Sequence, residues 1–476
     1  MSIHSSITNS KSYKGASKKG RHLGRWGMTK PSPDVAISDL PTLRARSDLL
    51  YKNNALSKGA IDSNLSNVIG SGLKPHPTLN YELLGISEDD AKKLEKKMLQ
   101  EFNFVAQSLN IDAERSENFF ELQSTAFYSM LIGGDVFALL PSIKRPNTPY
   151  TTAIALIPAE QVVNTSDMIN TRNLAGGIEV NDYGEPLYYH ILKQHPNGLN
   201  YEKSWQKVKA FDSKGRRLVL HMFEKKEPGQ KRGIPYLTPV ISLLKVLGDY
   251  TEAELTATLV SSLFTIFVKS EEGMGLDIEE DESKDVDYSL SAGGVVNLKN
   301  GESIETADPN RPNKNYEIFY RAIVREIGIG LNLPYEILVK HFESSYTAAR
   351  AGFLEVWKYY NRQITLVVRK FTQPIYERVI EEGVLLGRIN APGFLEDPFL
   401  RHHYLNCIWT GEVQGAIDEV KSAKAAKIRV DEGFSTRDRE SSQLNGSNFS
   451  ENVNTAKDEN VEMFKSKLKK DFNETR

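Results

Sequence analysis

With 476 residues, 39% of them apolar, this chain is long enough for two or three domains or one elaborate subunit and can bury a real core. Its 60 Lys and Arg against 62 Asp and Glu leave a net charge of −2, which counts against an ordinary nucleic-acid binder relying on global basicity. The single cysteine, Cys407, excludes an intrachain disulfide and points to assembly in a reducing cytoplasm.

In chain order, residues 1–33 carry seven Lys or Arg and no Asp or Glu, the composition of a disordered basic arm that either contacts an acidic partner or stays solvated. Gly15 to Gly20 has the glycine spacing of a phosphate loop. Arg21-His22 stands where Lys-Ser/Thr belongs, however, and no strand precedes it, so a nucleotide site is rejected. Residues 35–130 read as mostly helical, with Glu88–Phe104 and Asn118–Leu131 clearest. From Val136 to about Leu220 the pattern turns to short strands, at Thr152–Ile157, Gly177–Val180 and Arg217–Phe223. The fold class is α+β.

Thr238-Pro239 opens a helix expected to run to about Val268, roughly 45 Å at about 1.5 Å per residue. Glu271–Asp287 then holds nine acidic residues against one lysine. Strand-like runs follow at Gly293–Leu298 and Glu302–Glu305, and a second helix at Tyr316–Leu331. Leu333-Pro334 must leave helix, because proline disfavours helical geometry in the residue before it. Lys340–Tyr346 is a polar loop with few apolar residues. From Ala348, the residues Phe353, Val356, Trp357, Tyr360, Ile364, Val367, Val368 and Phe371 recur at three- and four-residue steps, one face of a long helix. Pro374 should kink or end it, with another helix at Ile375–Gly387. Glu412–Lys427 reads as helix, Thr436 as a helix cap, and the chain after Ser441 as polar and disordered, with at most a short helix at Val461–Lys470. The longest charge-free apolar stretch, Leu255–Val268, is shorter than the roughly 20 residues a membrane span needs. With no apolar segment in residues 1–30, the expectation is a soluble chain without a signal peptide.

The segment 325–357, with its helix end, Leu-Pro break, polar loop and long helix head, resembles the portal proteins of tailed bacteriophages, in particular the lambda-type family. Further blocks carry the same resemblance in order. They are Arg44-Ala-Arg46-Ser-Asp48 with Asn53-Asn54, Val68 to Pro75, Gly133-Gly-Asp135, Ile157-Pro158-Ala-Glu160, and Gly177-Ile-Glu179 with Gly184 to His190. The most specific runs from Pro228 through Arg232-Gly233 to Pro239 and on to Asp249–Glu254. Trp409-Thr-Gly411 and Asp418–Ala426 match more faintly.

That resemblance implies a portal fold. After the basic arm, 34–236 would form an α+β wing, 237–268 and 315–333 two stem helices, and 269–314 a small β-rich clip between them. Residues 334–410 would supply the channel loop, the long helix and the return to the wing, 411–445 a helical crown, and 446–476 a disordered tail. It implies a homo-oligomeric ring, a dodecamer, at one capsid vertex of the virion, assembled in the bacterial host cytoplasm. Double-stranded DNA would pass through it during packaging and ejection. Its partners would be the terminase large subunit, the major capsid and scaffold proteins and the head-tail connectors, with no cofactor and no membrane. Lys340, His341, Glu343 and Ser344 are channel-loop candidates by the same resemblance, an ordinary surface loop being the plain alternative.

Other readings stay open. Glu252 and Glu254 diverge on one helix; Glu254 could pair across a subunit seam, or simply sit exposed. Arg350 near a helix start is unfavourable with the dipole unless paired, which suggests an acidic group beside it, in its own chain or in an adjacent subunit. Trp357 is expected in the core, Tyr346 against the helix head, and Cys407 as a buried structural thiol. His402-His403 point apart and make poor joint ligands. No zinc spacing or nucleophile motif is present. A phage nucleic-acid-processing enzyme could still use Asp135, Glu160 and Asp182 as a metal set for a nuclease, although Gly133-Gly-Asp135 reads first as a turn. A generic capsid structural component is the third reading.

Overall fold

The computed structural model describes residues 31–165, 168–198, 203–262, 266–270, 302–306, 316–342, 346–413, 419–447 and 449–474. Helices α1 (Leu40–Asn53) and α2 (Ala55–Val68) are separated by one residue, Asn54. Its amide caps the end of α1 while its Oδ1 accepts from Ser57 N at 3.0 Å to start α2. A side-chain oxygen at this position satisfies a helix N–H that has no carbonyl partner, which is why the Asn53-Asn54 pair marks the joint. Strand β1 (Lys74–Pro77) and the short α3 (Tyr81–Leu84) follow. Ser87 caps α4 (Glu88–Ala106), whose first turn holds three acids suited to the helix dipole. Asn118 and Glu121 form a capping box on α5 (Phe119–Gly133).

Two small sheets come next. Strand β2 (Asp135–Leu139) lies between β3 (Ala155–Pro158) and β8 (Val219–Phe223), all antiparallel. The strands β4 (Leu174–Ala175), β5 (Ile178–Val180), β6 (Pro186–Leu192) and β7 (Trp205–Lys209) form a meander in sequence order. The strands expected between Val136 and Leu220 fall within a few residues of β3, β5 and β8.

After a 3₁₀ turn at Thr238–Val240, α6 spans Ile241–Ser262. It is shorter than expected: Ile266–Ser270 is a strand, β9, paired antiparallel with β10 (Glu302–Thr306). Ile266, Phe267 and Val268 are β-branched or aromatic and favour a pleated surface over continued helix. The acidic run Glu271–Asp287 and the strand expected at Gly293–Leu298 lie outside the described residues. Helix α7 spans Tyr316–Leu331 as expected, followed by α8 (Tyr335–Val339) and α9 (Tyr346–Val367).

Pro374 does not end the long helix. A π-helical turn at Val368–Thr372 lets Gln373 N reach back five residues to Val368 O, and α10 (Gln373–Leu385) continues with proline in its first turn. The wider turn absorbs the clash that a proline ring makes with the preceding helical turn. Then come α11 (Pro398–Tyr404), β11 (Cys407–Thr410), α12 (Glu419–Asp431), α13 (Arg437–Asn445) and α14 (Phe449–Glu474). Thr436 caps α13 as expected. Two expectations fail here: α12 begins at Glu419, with 412–413 outside helix, and 26 residues of the supposed disordered tail are helical.

Part of the core sits where an early strand and a late one meet. Antiparallel β1 and β11 place Lys74 opposite Thr410. Beneath them Phe102, Phe119, Phe371, Tyr376 and Trp409 form one aromatic cluster. Trp409 Nε1 donates to Gln373 Oε1 at 2.7 Å, so the indole is buried without leaving its N–H unpaired. Along α9 and the π-helical turn after it the predicted face holds: Val356, Tyr360, Val367 and Phe371 are buried, and Trp357 packs edge-on against Tyr360. Cys407 is half-buried in β11, and burial pushes its thiol up to about 12, as suits a structural cysteine. No helix among the described residues is long and apolar enough to cross a membrane.

Candidate functional site

Asp135 and Arg232 form the most densely connected polar pair among the described residues. Helix α5 ends at Gly134, whose φ of 86° is readily available to glycine alone. A Cβ added to Gly233 would lie 1.9 Å from Gly134 O, so the two loops touch backbone to backbone and leave no room for a side chain. Asp135 then opens β2 with no exposed surface.

Arg232 grips its carboxylate with both prongs, Nε to Oδ2 at 2.6 Å and Nη2 to Oδ1 at 2.9 Å. Arg44 Nη2 adds a bond to Oδ1 at 3.1 Å, Gly233 N one to Oδ2 at 3.0 Å, and His221 Nε2 lies 3.2 Å from Oδ2. The rest of the Arg232 guanidinium donates to the carbonyls of Ala159, Val162 and Gly176, while Arg44 Nε donates to Gly133 O. Burial alone would raise the carboxyl, but the charge and bonds of Arg232, with His221 and Arg44, hold it well below the usual carboxylate range. Burial and the neighbouring Arg232 take Arg44 down to about 10. Burial also lowers His221, so its ring is neutral between Phe137 and Phe223, with centroids 4.2 and 4.3 Å away.

This arrangement corrects the metal-site reading. Every acceptor direction of Asp135 is taken by a donor, a paired buried charge rather than an open ligand. Glu160 sits 3.9 Å from Arg44, and Asp182 is exposed in the turn between β5 and β6. Among the described residues no group of three His, Cys, Asp or Glu could hold a metal ion.

A second buried acid binds the α4 end of the fold. Burial would raise Glu101, but hydrogen bonds from Arg388, Lys97 and Tyr150 bring it down to about 2. A depressed carboxyl contributes stability that is fully present above its unfolded pKa, about 4.3 for Glu and about 3.9 for Asp. That contribution is lost as pH falls through the folded value. The carboxylate contribution to the urea midpoint should therefore be flat from about pH 7 to 5 and fall steeply below about pH 4, while the lowered His221 adds a loss of its own as pH falls below its unfolded value of about 6.5. Glu101→Gln should flatten part of that fall; an unchanged acid limb would remove Glu101 from the account.

Several exposed apolar side chains lie on α6 and α7. Tyr250 stacks on Tyr316 with centroids 5.6 Å apart and meets Phe319 edge-on at 5.2 Å, holding the two helices together. At their base Tyr236 donates to Leu331 O at 2.6 Å and accepts from Asn64 on α2 at 3.2 Å. Leu255, Leu259, Ile318 and Ile329 are nevertheless 62, 67, 71 and 79% exposed, with Val246 and Phe319 also open. Exposed apolar groups in this number on two paired helices mark a contact surface. Glu254 is only 8% exposed within its own chain, so the exposed helix position considered for it is not found. Arg350 is exposed on the first turns of α9 and already has an interaction within the chain.

The polar loop follows two left-handed residues, Asn332 (φ 56°) and Lys340 (φ 55°), on either side of α8. Lys340 and His341 are exposed, and Phe342 stacks on Phe353 of α9 at 5.7 Å, so one apolar ring tethers an otherwise polar segment. Glu343, Ser344 and the Tyr346 side chain lie outside the described residues.

Known proteins resemble this chain in sequence. The sequence profile described as phage portal protein, lambda family, matches residues 19–363. "Portal protein B" of Escherichia phage lambda is 23% identical over 455 residues, covering 90% of this chain and 85% of that protein. The "Portal protein" of Escherichia phage N15 is 24% identical over 451 residues, covering 88% and 84%. Among solved structures, a chain from the virion of a native gene transfer agent particle aligns at a TM-score of 0.45 and 12% identity, over 88% of this chain and 94% of that one.

Proposed function

The chain belongs to the lambda family of phage portal proteins, and we propose that its copies close into a ring, a dodecamer, through which double-stranded DNA enters and leaves the capsid. A portal subunit is a structural protein of the virion and not an enzyme. The observation that carries the ring is the apolar face of α6 and α7, which a lone subunit leaves in water. A head-to-tail contact that closes by rotation buries that face on every copy.

In this reading residues 34–236 form the wing, α6 and α7 the stem, and the β9–β10 pair the base of a clip spanning 269–314. The clip would meet the terminase large subunit during packaging and the head-tail connectors afterwards. Residues 334–410 carry the channel loop and return to the wing, which would face the capsid and scaffold proteins, and 411–445 form a crown. Assembly takes place in the host cytoplasm. Electron microscopy of the purified protein tests the reading: rings with an axial hole support it, and compact monomers that cleave DNA with a metal ion defeat it.

Lys340, His341, Glu343 and Ser344 are the residues assigned to the channel wall, with Arg350 and Glu254 nearer the seams between subunits. Replacing the four loop residues together by alanine should move stability by under about 0.5 kcal/mol, as exposed substitutions do, because Phe342 keeps its hold on Phe353. Rings should form, while DNA packaging or retention should suffer, since the ring gives up a weak lysine–phosphate interaction repeated around its axis. Normal packaging into stable full heads would take the loop out of the mechanism.

A further inference from the structure

A cleft of about 690 Å³ opens between the turn before β8 and helices α10 and α11, beside the π-helical turn. Five arginines line it against two acids, Glu377 and Glu381. Glu381 is already shared by Arg401 at 3.0 Å and Arg216 at 3.7 Å, and Arg216 is also held by Asp212 at 2.6 Å. Glu377 accepts from Gln373 at 3.1 Å. Arg217, Arg369 and Arg378 therefore have no ion pair among the described residues. Arg217 lies only over the Phe211 ring, and Arg378 Nη1 is buried without a hydrogen-bond partner among them. Burial, and the repulsion of Arg217 and Lys225, lower Lys370 beside the cleft, another sign of positive charge in excess there.

We propose that this cleft is a docking site for an acidic, extended peptide segment of a partner protein, whose carboxylates pair with Arg217, Arg369 and Arg378. The guanidinium fork matches a carboxylate with two parallel hydrogen bonds and supplies the acceptor that Arg378 lacks. Phe211, Val368, Pro374 and Leu405 give the same cleft an apolar floor, which suits side chains that alternate with the acids along a peptide. Duplex DNA fits less well. A cleft of about 690 Å³ holds a short peptide segment, whereas a duplex would reach it only with a phosphate edge.

The test uses the full-length protein and a fluorescein-labelled octapeptide of alternating Glu and Leu, followed by fluorescence anisotropy, with a labelled short DNA duplex in a parallel titration. The peptide should bind, and Arg217→Ala with Arg378→Ala should weaken it by about tenfold or more, as expected when two charge-assisted hydrogen-bonding groups are removed. Glu377→Gln, which removes a competing negative charge, should tighten binding, an effect that misfolding cannot imitate. The proposal fails if the peptide does not bind, or if its affinity ignores all three substitutions. It also fails if the duplex binds more tightly and loses affinity in the arginine variants, which would assign the cleft to nucleic acid.

Discussion

Replacing Asp135 by alanine should lower the stability of the fold by about 3–5 kcal/mol, the cost of removing one partner from a buried ion pair. A domain's whole margin is about 5–15 kcal/mol, so this one change removes between about a fifth and all of it. The cost comes less from the missing carboxylate's own hydrogen bonds than from the charges it leaves behind. Arg44 and Arg232 would face each other in the interior with no anion between them. Asp135→Asn should also be severe, since an amide keeps the shape but offers an N–H to groups that are already donors. Converting Asp135, Arg44 and Arg232 together to apolar residues removes the charge problem but should not restore full stability. Arg232 also satisfies the carbonyls of Ala159, Val162 and Gly176, which an apolar side chain would strand. Urea unfolding of the three variants checks this order, and an unchanged midpoint for Asp135→Ala would overturn the account.

That node shows what the sequence makes legible and what it conceals. The blocks around Arg44, Gly133-Gly-Asp135, Ala159, Gly177 and Arg232-Gly233 are visible as separate short motifs, with nothing in the sequence to say that they belong together. They meet because Asp135 draws donors from segments up to 98 residues away. No local pattern reports such a meeting: β2 is buried along most of its length, so its leading aspartate has no alternation to mark it as inward. The glycines are the available signal, since Gly134 and Gly233 are needed where two backbones touch. Helix α9 is legible because its apolar face repeats cleanly. The end of α6 is not, because its apolar residues lie on several sides and its length cannot be told from composition. In α14, polarity imitates disorder, although Phe449, Val453 and Val461 fall four and eight residues apart, a thin helical stripe.

Glutamate at Leu255 and Ile318 together should convert rings to monomers while leaving the subunit folded. Both side chains are already largely exposed in the isolated chain, so each change should move its stability by no more than about 0.5 kcal/mol. In the proposed ring the same positions would be covered. Burying a leucine or isoleucine contributes about 1.5–3 kcal/mol, and a carboxylate there forfeits that gain and adds the penalty of burying an unpaired charge. The loss recurs at every seam, because each subunit offers this face once and a ring has as many seams as subunits. A modest defect at each seam thus becomes decisive for closure. Sedimentation velocity should show the parent as a large single species and the variant near the mass of one chain, with matching circular dichroism spectra. Intact rings from the double variant would mean that the exposed face of α6 and α7 is not the seam. Loss of helical signal would mean that Leu255 and Ile318 hold the hairpin itself together.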